Sequence, residues 1–145
     1  MLYSKKTMVI FGGNMKQTTQ LFLKVPKALL YCSQISIEEC ILYAYLLDKR
    51  ALSEMTNQTE GTRGKFLDSK GVFCNASVDE LSKVLRCGKD KINKMKKTLK
   101  SLGLIDEKRQ LAGSNKIYVY DIPATIETLH VSDFQTYVNR KNRLT

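Results

Sequence analysis

Residues 77–120, SVDELSKVLRCGKDKINKMKKTLKSLGLIDEKRQLAGSNKIYVY, decide the fold. Ser77 and Glu80 stand at the S-x-x-E spacing of a capping box, in which two side chains satisfy backbone donors orphaned at a helix start. Val78, Leu81, Val84 and Leu85 then share one helical face. Cys87-Gly88 interrupts that run, and Gly88 suits the N-cap of a second helix. In that helix Ile92, Met95, Leu99 and Leu102 repeat at core spacing. Lys89, Lys94, Lys97 and Lys100 spread over its remaining surface, with Lys91 at the border of the apolar side and Lys96 on a flank. Gly103 supplies the stop, because glycine enters the left-handed conformation without a Cβ penalty. Leu104-Ile105-Asp106-Glu107-Lys108-Arg109 reads as a strand, residues 113–115 as a turn, and residues 117–120 alternate through a returning strand ended by Pro123. The stretch is a helix-turn-helix with a positively charged second helix, followed by a β-hairpin wing that carries Lys108, Arg109 and Lys116.

Charge is segregated along the chain in the same sense. The 145 residues carry a formal net charge of +10. Residues 1–30 hold Lys5, Lys6, Lys16, Lys24 and Lys27 with no acid, and residues 77–116 hold 11 basic against 5 acidic residues. The rest of the chain nearly cancels, so the excess sits in an N-terminal arm and in the helix-turn-helix with its wing. A polyanion partner suits that distribution. Cys32, Cys40, Cys74 and Cys87 contain no C-x-x-C pair, and the single histidine, His130, is near none of them. A structural zinc site needs about four ligands at characteristic spacing, so no metal and no cofactor is expected. Buried thiols in a reducing cytoplasm are the plainer reading. No apolar run approaches the roughly 20 residues of a membrane span, and Met8-Val9-Ile10-Phe11 is too short for a signal peptide. The expectation is a soluble cytoplasmic protein.

Upstream of the organising stretch the pattern supplies a scaffold. Residues 1–20 read as a basic arm: either a frayed lysine-rich tail, or a dimer contact through Val9, Ile10 and Phe11, or a clamp on phosphates. Leu21-Phe22-Leu23-Lys24-Val25 reads as a short strand closed by Pro26, and residues 27–31 as a helical turn. Ser36 with Glu39 forms a second S-x-x-E box and opens the best helix in the chain. Ile37, Cys40, Ile41, Ala44, Leu47, Ala51, Leu52 and Met55 follow at core spacing, and at least one of Tyr43 and Tyr45 must lie at an edge. Residues 53–64 read as a polar loop. Residues 65–67 and 72–74 flank Asp68-Ser69-Lys70-Gly71, which suits a tight hairpin turn. Residues 21–122 therefore form one winged-helix domain of the α+β class. Residues 123–145, with a weak helical pattern around Ile126, Leu129 and Phe134, read as a tail or the start of a linker.

Three ordered segments resemble the N-terminal domain of plasmid replication initiators of the RepA_N type, found in Gram-positive bacteria. Phe22-Leu23-Lys24-Val25-Pro26-Lys27-Ala28-Leu29 resembles that family's opening F-x-K-V-P-K-A-L segment. Leu42-Tyr43-Ala44-Tyr45-Leu46-Leu47-Asp48-Lys49-Arg50 resembles its L-Y-x-x-L-L-D-R helix, with Lys49 at the family's Arg. Gly103-Leu104-Ile105-Asp106-Glu107-Lys108-Arg109-Gln110 with Ile117-Tyr118-Val119 resembles its G-L-I-x-x-K-R-Q and I-Y-V wing. The resemblance implies homodimers on repeated double-stranded sites of a plasmid origin. It also implies contact with host replication machinery through a C-terminal domain that this chain lacks, so that the chain is a DNA-binding fragment or a short relative.

On DNA, a recognition helix enters the major groove N-terminus first, which points Lys89, Asp90, Lys91, Asn93 and Lys94 at base edges. Lysine donates to guanine, asparagine pairs with the adenine edge and aspartate accepts from cytosine N4. Lys97 and Lys100 lie further along and are expected on phosphates. Lys108, Arg109 and Lys116 are expected on the backbone or in the adjacent minor groove. Three rivals are weaker. An enzyme is disfavoured, since no P-loop, no G-x-S-x-G and no histidine cluster for a nicking tyrosine is present. A winged-helix transcriptional repressor is the serious alternative, because fold does not give function. A protein-binding winged helix predicts an acidic or apolar second helix, the opposite of residues 89–100.

Overall fold

Two antiparallel strands, β1 (Ser4–Phe11) and β2 (Asn14–Leu21), open the chain, in register from Ser4 opposite Leu21 to Phe11 opposite Asn14. The structure is a computed structural model that describes residues 4–11 and 14–123, with side chains from residue 22 onward. The basic arm is thus a hairpin in its backbone, and the side chains proposed for a dimer contact lie outside the described residues. The strand expected over residues 21–25 is not formed. Strand β2 stops at Leu21 opposite Ser4, where its partner strand begins, and residues 22–26 lie outside any strand. Pro26 then precedes the single turn α1 (Lys27–Leu30).

Helix α2 (Ile37–Gln58) starts where the sequence says it should. Ser36 Oγ accepts from the Glu39 amide at 3.1 Å, and Glu39 Oε1 accepts from the Ser36 amide at 2.8 Å, closing both halves of the capping box. The helix runs past the expected loop start at Ser53 and ends at Gln58. Its buried face matches the expected one at Cys40, Ala44 and Ala51, with Leu47 packed at its border, and departs from it elsewhere. Cys40, Leu42, Tyr43, Ala44, Leu46 and Ala51 are buried, while Ile37, Ile41, Leu52 and Met55 are exposed, Ile37 at 62%. Apolar residues occur on most sides of this helix, so its neighbours rather than its periodicity select the buried stripe.

A small hairpin, β3 (Leu67–Asp68) and β4 (Gly71–Val72), follows, with Gly71 at φ +128, a conformation that favours glycine. Then come β5 (Cys74–Asn75), α3 (Val78–Leu85), α4 (Lys89–Ser101), β6 (Ile105–Lys108) and β7 (Lys116–Val119). Strand β7 lies between β5 and β6, antiparallel to both, with Ile105 opposite Val119 and Lys108 opposite Lys116. That order, helix, helix-turn-helix and a two-stranded wing closed by a third short strand, is the winged helix expected from sequence. The weak helical pattern around Ile126, Leu129 and Phe134 lies outside the described residues.

One core holds these elements together. Leu29, Leu46, Leu81, Ile92, Leu99, Leu104 and Ile117 are wholly buried, and Val25, Leu85, Leu102 and Ile122 pack against them. Each such side chain contributes about 1.5–3 kcal/mol of transfer free energy. Helix α2 is also tied to the end of the wing. The Tyr43 hydroxyl donates to the Tyr120 carbonyl, and Arg50 donates to the Val119 carbonyl at 2.9 Å and to Asp121 at 3.0 Å. Truncating Ile92 to alanine is expected to cost about 2–5 kcal/mol in urea denaturation. Ile37→Ala, on the exposed stripe of α2, is expected to change stability by less than about 0.5 kcal/mol. Equal costs at the two positions would reverse the assignment of the buried face.

Candidate nucleic-acid interface

Helix α3 is capped at Ser77, whose Oγ accepts from the Glu80 amide at 3.0 Å. The reciprocal half of the expected capping box is not made, because the Glu80 carboxylate is used elsewhere. Its Oε2 accepts from Lys49 Nζ at 2.7 Å and from the Tyr45 hydroxyl, tying α3 to α2. Burial would raise the Glu80 carboxyl, but the bonds from Lys49 and Tyr45 outweigh it and hold the group below its ordinary value. Tyr45 is the edge tyrosine that the spacing required, and Tyr43 is the buried one.

Between the two helices the chain reverses at Arg86, which takes the left-handed conformation at φ 56. Glycine would be easier there. The turn is braced by the Ser82 hydroxyl, which donates to the Cys87 carbonyl at 2.6 Å, and by the Cys87 amide, which donates to the Ser82 carbonyl at 3.1 Å. Gly88 is the N-cap of α4, and Gly103 at φ +75 ends the turn beyond that helix.

Helix α4 is split into two faces. Ile92, Met95, Lys96 and Leu99 are buried. With 3.6 residues per turn, Asp90, Asn93, Lys94, Lys97 and Ser101 lie on the opposite side, and all five are exposed. Lys97 thus shares the outward line of Asp90, Asn93 and Lys94 rather than sitting apart from it. Lys89 and Lys100 fall on one flank and Lys91 on the other. The charges around these flanks differ. Lys91 is paired with Glu38 at 2.7 Å, which holds its ammonium pKa above the ordinary value. Lys89 lies 3.9 Å from Asp79, which Lys83 already neutralises at 2.9 Å. Among the described residues no carboxylate lies within ion-pair distance of Lys94, Lys97 or Lys100.

The wing divides in the same way. Lys108 and Arg109 are exposed, and Leu111 stands fully in solvent at the tip. Lys116 is turned back into the fold, 3.1 Å from Asp68 and 4.4 Å from the centre of the Phe73 ring. Asp68 also accepts from the buried Tyr118 hydroxyl at 2.6 Å, and Lys70 bridges to Asp106 across the same face. Of the three wing cations, Lys108 and Arg109 face solvent and Lys116 helps fasten the β3–β4 hairpin to the sheet. Two exposed cations beside the site, Lys83 and Arg86, escaped the sequence reading, and they sit on α3 and the turn rather than on the helix where lysines cluster. Lys96 is a different miss. It is 6% exposed and paired with Glu107 at 2.9 Å, not on a flank. The signal was there: Lys96 follows Ile92 by four positions and precedes Leu99 by three, within the buried stripe.

A family model for the N-terminus of replication initiator protein A (RepA) matches residues 21–135. The chain belongs to that family. Among solved structures it is similar to a Rep–DNA complex, at 25% identity over 77% of this chain and 88% of that one, with a TM-score of 0.55. It is likewise similar to the N-terminal domain of a DNA-binding protein, at 25% identity, 77% and 87% coverage and a TM-score of 0.56. A third similar structure, of an MDR initiator, gives 27% identity, 70% and 78% coverage and a TM-score of 0.55. No curated protein matches the chain significantly.

The Asp68 cluster beneath the RepA-type wing carries a pH signature. The Tyr118 hydroxyl, and after it Lys116, hold the Asp68 carboxyl down at about 2 from an ordinary 3.8. A carboxyl lowered by folding stabilises the fold above its unfolded pKa and loses that contribution as pH falls through the folded one. Burial, reinforced by the bond to Asp68, pushes the Tyr118 phenol up to about 12, so its share is present below pH 10 and lost as pH rises through 12. Denaturation midpoints measured across pH 2–4 are expected to fall in the unaltered protein and to fall less in Asp68→Asn. An identical acid limb in both would remove Asp68 from this role.

Proposed function

We propose that this chain is the DNA-binding domain of a plasmid replication initiator, and that it binds repeated double-stranded sites at an origin as a homodimer. Helix α4 enters the major groove, and the wing lies across the backbone or the adjacent minor groove. The observation that carries this reading is the outward line Asp90, Asn93, Lys94 and Lys97, borne by the second helix of a helix-turn-helix, with no carboxylate among the described residues within ion-pair distance of either lysine. Family membership and the likeness to a Rep–DNA complex support the same reading.

The roles follow from reach. Asn93 and Asp90, short and on the first two turns, face base edges, where asparagine recognises adenine and aspartate accepts from cytosine. Lys94 and Lys97 lie on the same line, with stems long enough to reach a guanine edge or a flanking phosphate. Lys89 and Lys100 on one flank and Lys108 and Arg109 on the wing would engage phosphates, which position the protein without reading sequence. Lys91 and Lys116 contribute less, since each already holds a carboxylate. The chain on this reading binds and carries out no catalysis.

The test is binding to labelled fragments of the DNA that encodes and surrounds the gene, against scrambled competitor, over a salt series. Repeated-site binding with dimer stoichiometry is expected. Lys100→Ala is expected to lower the slope of log affinity against log salt by about one, with sequence preference unchanged. Asn93→Ala is expected to cost about 1–3 kcal/mol and to relax preference at one base position. Salt-sensitive binding with no preference over the scrambled competitor would overturn the origin-binding reading.

A further inference from the structure

Beyond the apolar core that α4 shares with the base of the wing, the two are joined through one buried ammonium. Lys96, on α4, and Glu107, on β6, form an ion pair at 2.9 Å with side chains 7% and 13% exposed. The same Glu107 Oε2 accepts from Asn115 Nδ2 at 3.3 Å. Glu107 lies on the strand that leads into the wing loop, and Asn115 on the segment that leads out of it. Both roots of the wing therefore meet at the Glu107 carboxylate, which Lys96 in turn holds to α4. Gln110, within the loop, donates to the Ser114 carbonyl at 2.8 Å and to Asn75 at 3.3 Å, which closes the loop on itself and ties it to β5.

Little apolar packing backs up this connection at the loop itself. A cavity of about 200 Å³ opens between α4, the start of α3 and the wing, lined by Lys96, Ser77, Ser114 and Asn115 among others. A buried ion pair is a poor way to gain stability, since apolar side chains of similar volume usually do as well or better. What it adds is direction: a charged hydrogen bond holds at one distance and one angle, whereas apolar contacts slide.

We propose that Lys96, Glu107 and Asn115 are positioning residues that set the wing at a fixed place relative to α4, so that the phosphate contact of Arg109 depends on them although none of the three touches DNA. The proposal rests on the DNA-binding reading above. It deepens that reading by separating the residues that contact the duplex from those that aim the contact.

The experiment is a double-mutant cycle on the 145-residue chain. Lys96→Met with Glu107→Leu removes both charges and keeps apolar volume, and Asn115→Ala removes one arm of the network without stranding a buried charge. The probe is a duplex selected from a randomised pool by the unaltered protein. There Arg109→Ala is expected to weaken binding about tenfold at low salt. In the Lys96→Met/Glu107→Leu background the same substitution is expected to cost less than about twofold, and in Asn115→Ala an intermediate amount. Asn93→Ala is expected to cost the same fold in every background, which a general loss of structure would not allow. Amide exchange of the β6–β7 ladder, residues 105–108 and 116–119, in the free protein is expected to quicken about tenfold or more in both variants, while exchange of α2 is unchanged. An Arg109 effect of equal size in all backgrounds, or wing exchange that stays as slow as before, would overturn the proposal. Failure of the unaltered protein to bind any selected duplex would instead overturn the DNA-binding reading, with the exchange measurement still deciding whether the pair holds the wing.

Discussion

Helix α4 has to be core and surface at once, and that constraint shapes everything around it. Ile92, Met95 and Leu99 are buried against the rest of the domain, while Asp90, Asn93, Lys94, Lys97 and Ser101 stand in solvent on the opposite side. A helix of 13 residues with so many lysines gains little from its own sequence, because short helices are marginal in water. Its helicity is held by tertiary burial, so the surface that would meet DNA is aimed by the core residues behind it. The scaffold does the same at one remove. Tyr45 and Lys49 of α2 take up Glu80 of α3, and Tyr43 and Arg50 hold the chain as it leaves β7.

The parts of the fold that were legible in sequence are those set by local chemistry. Ser36 with Glu39 forms its reciprocal cap, Gly88 and Gly103 punctuate α4, and Gly71 closes the hairpin, because each depends on atoms a few residues apart. What misled was decided at a distance. The S-x-x-E spacing at Ser77 makes one of its two bonds, since Glu80 has partners 31 and 35 residues away. The apolar run at residues 21–25 has the composition of a strand but begins where the β1–β2 ladder ends, with Leu21 opposite Ser4, and a strand needs a ladder as well as a propensity. On α2 the spacing starting from Ile37 fits a helical face as well as the buried one does, and only the packed neighbours distinguish them.

The candidate site was legible in kind and less so in detail. A count of lysines on α4 selects the helix whose exposed face is basic in the structure, yet it treats as equal residues whose surroundings differ. Lys96 is inside the fold, Lys91 faces Glu38, and Lys94, Lys97 and Lys100 make no ion pair among the described residues. Those distinctions come from residues 38 and 107, on other elements, and no pattern within α4 contains them. Glu107 was recoverable in principle. It lies two positions from the buried Ile105 on a strand, hence on the same face, and an acid on a buried face needs a cation opposite.

How readily each paired lysine could turn to a phosphate depends on what else its partner holds. Glu38 and Lys91 are both about half exposed, and water screens surface pairs of that kind so that they contribute little. A phosphate with several strong acceptors can displace such a partner, so Lys91 remains available at a small cost. Lys116 is different. Its partner Asp68 also receives the Tyr118 hydroxyl and the Lys70 amide, and the ammonium itself sits over the Phe73 ring. Pulling Lys116 toward DNA would take one donor from a carboxylate that three groups share and lift the ammonium off the Phe73 ring. The same sequence feature, a lysine on the wing or the recognition helix, thus yields a reserve contact in one place and a structural rivet in the other.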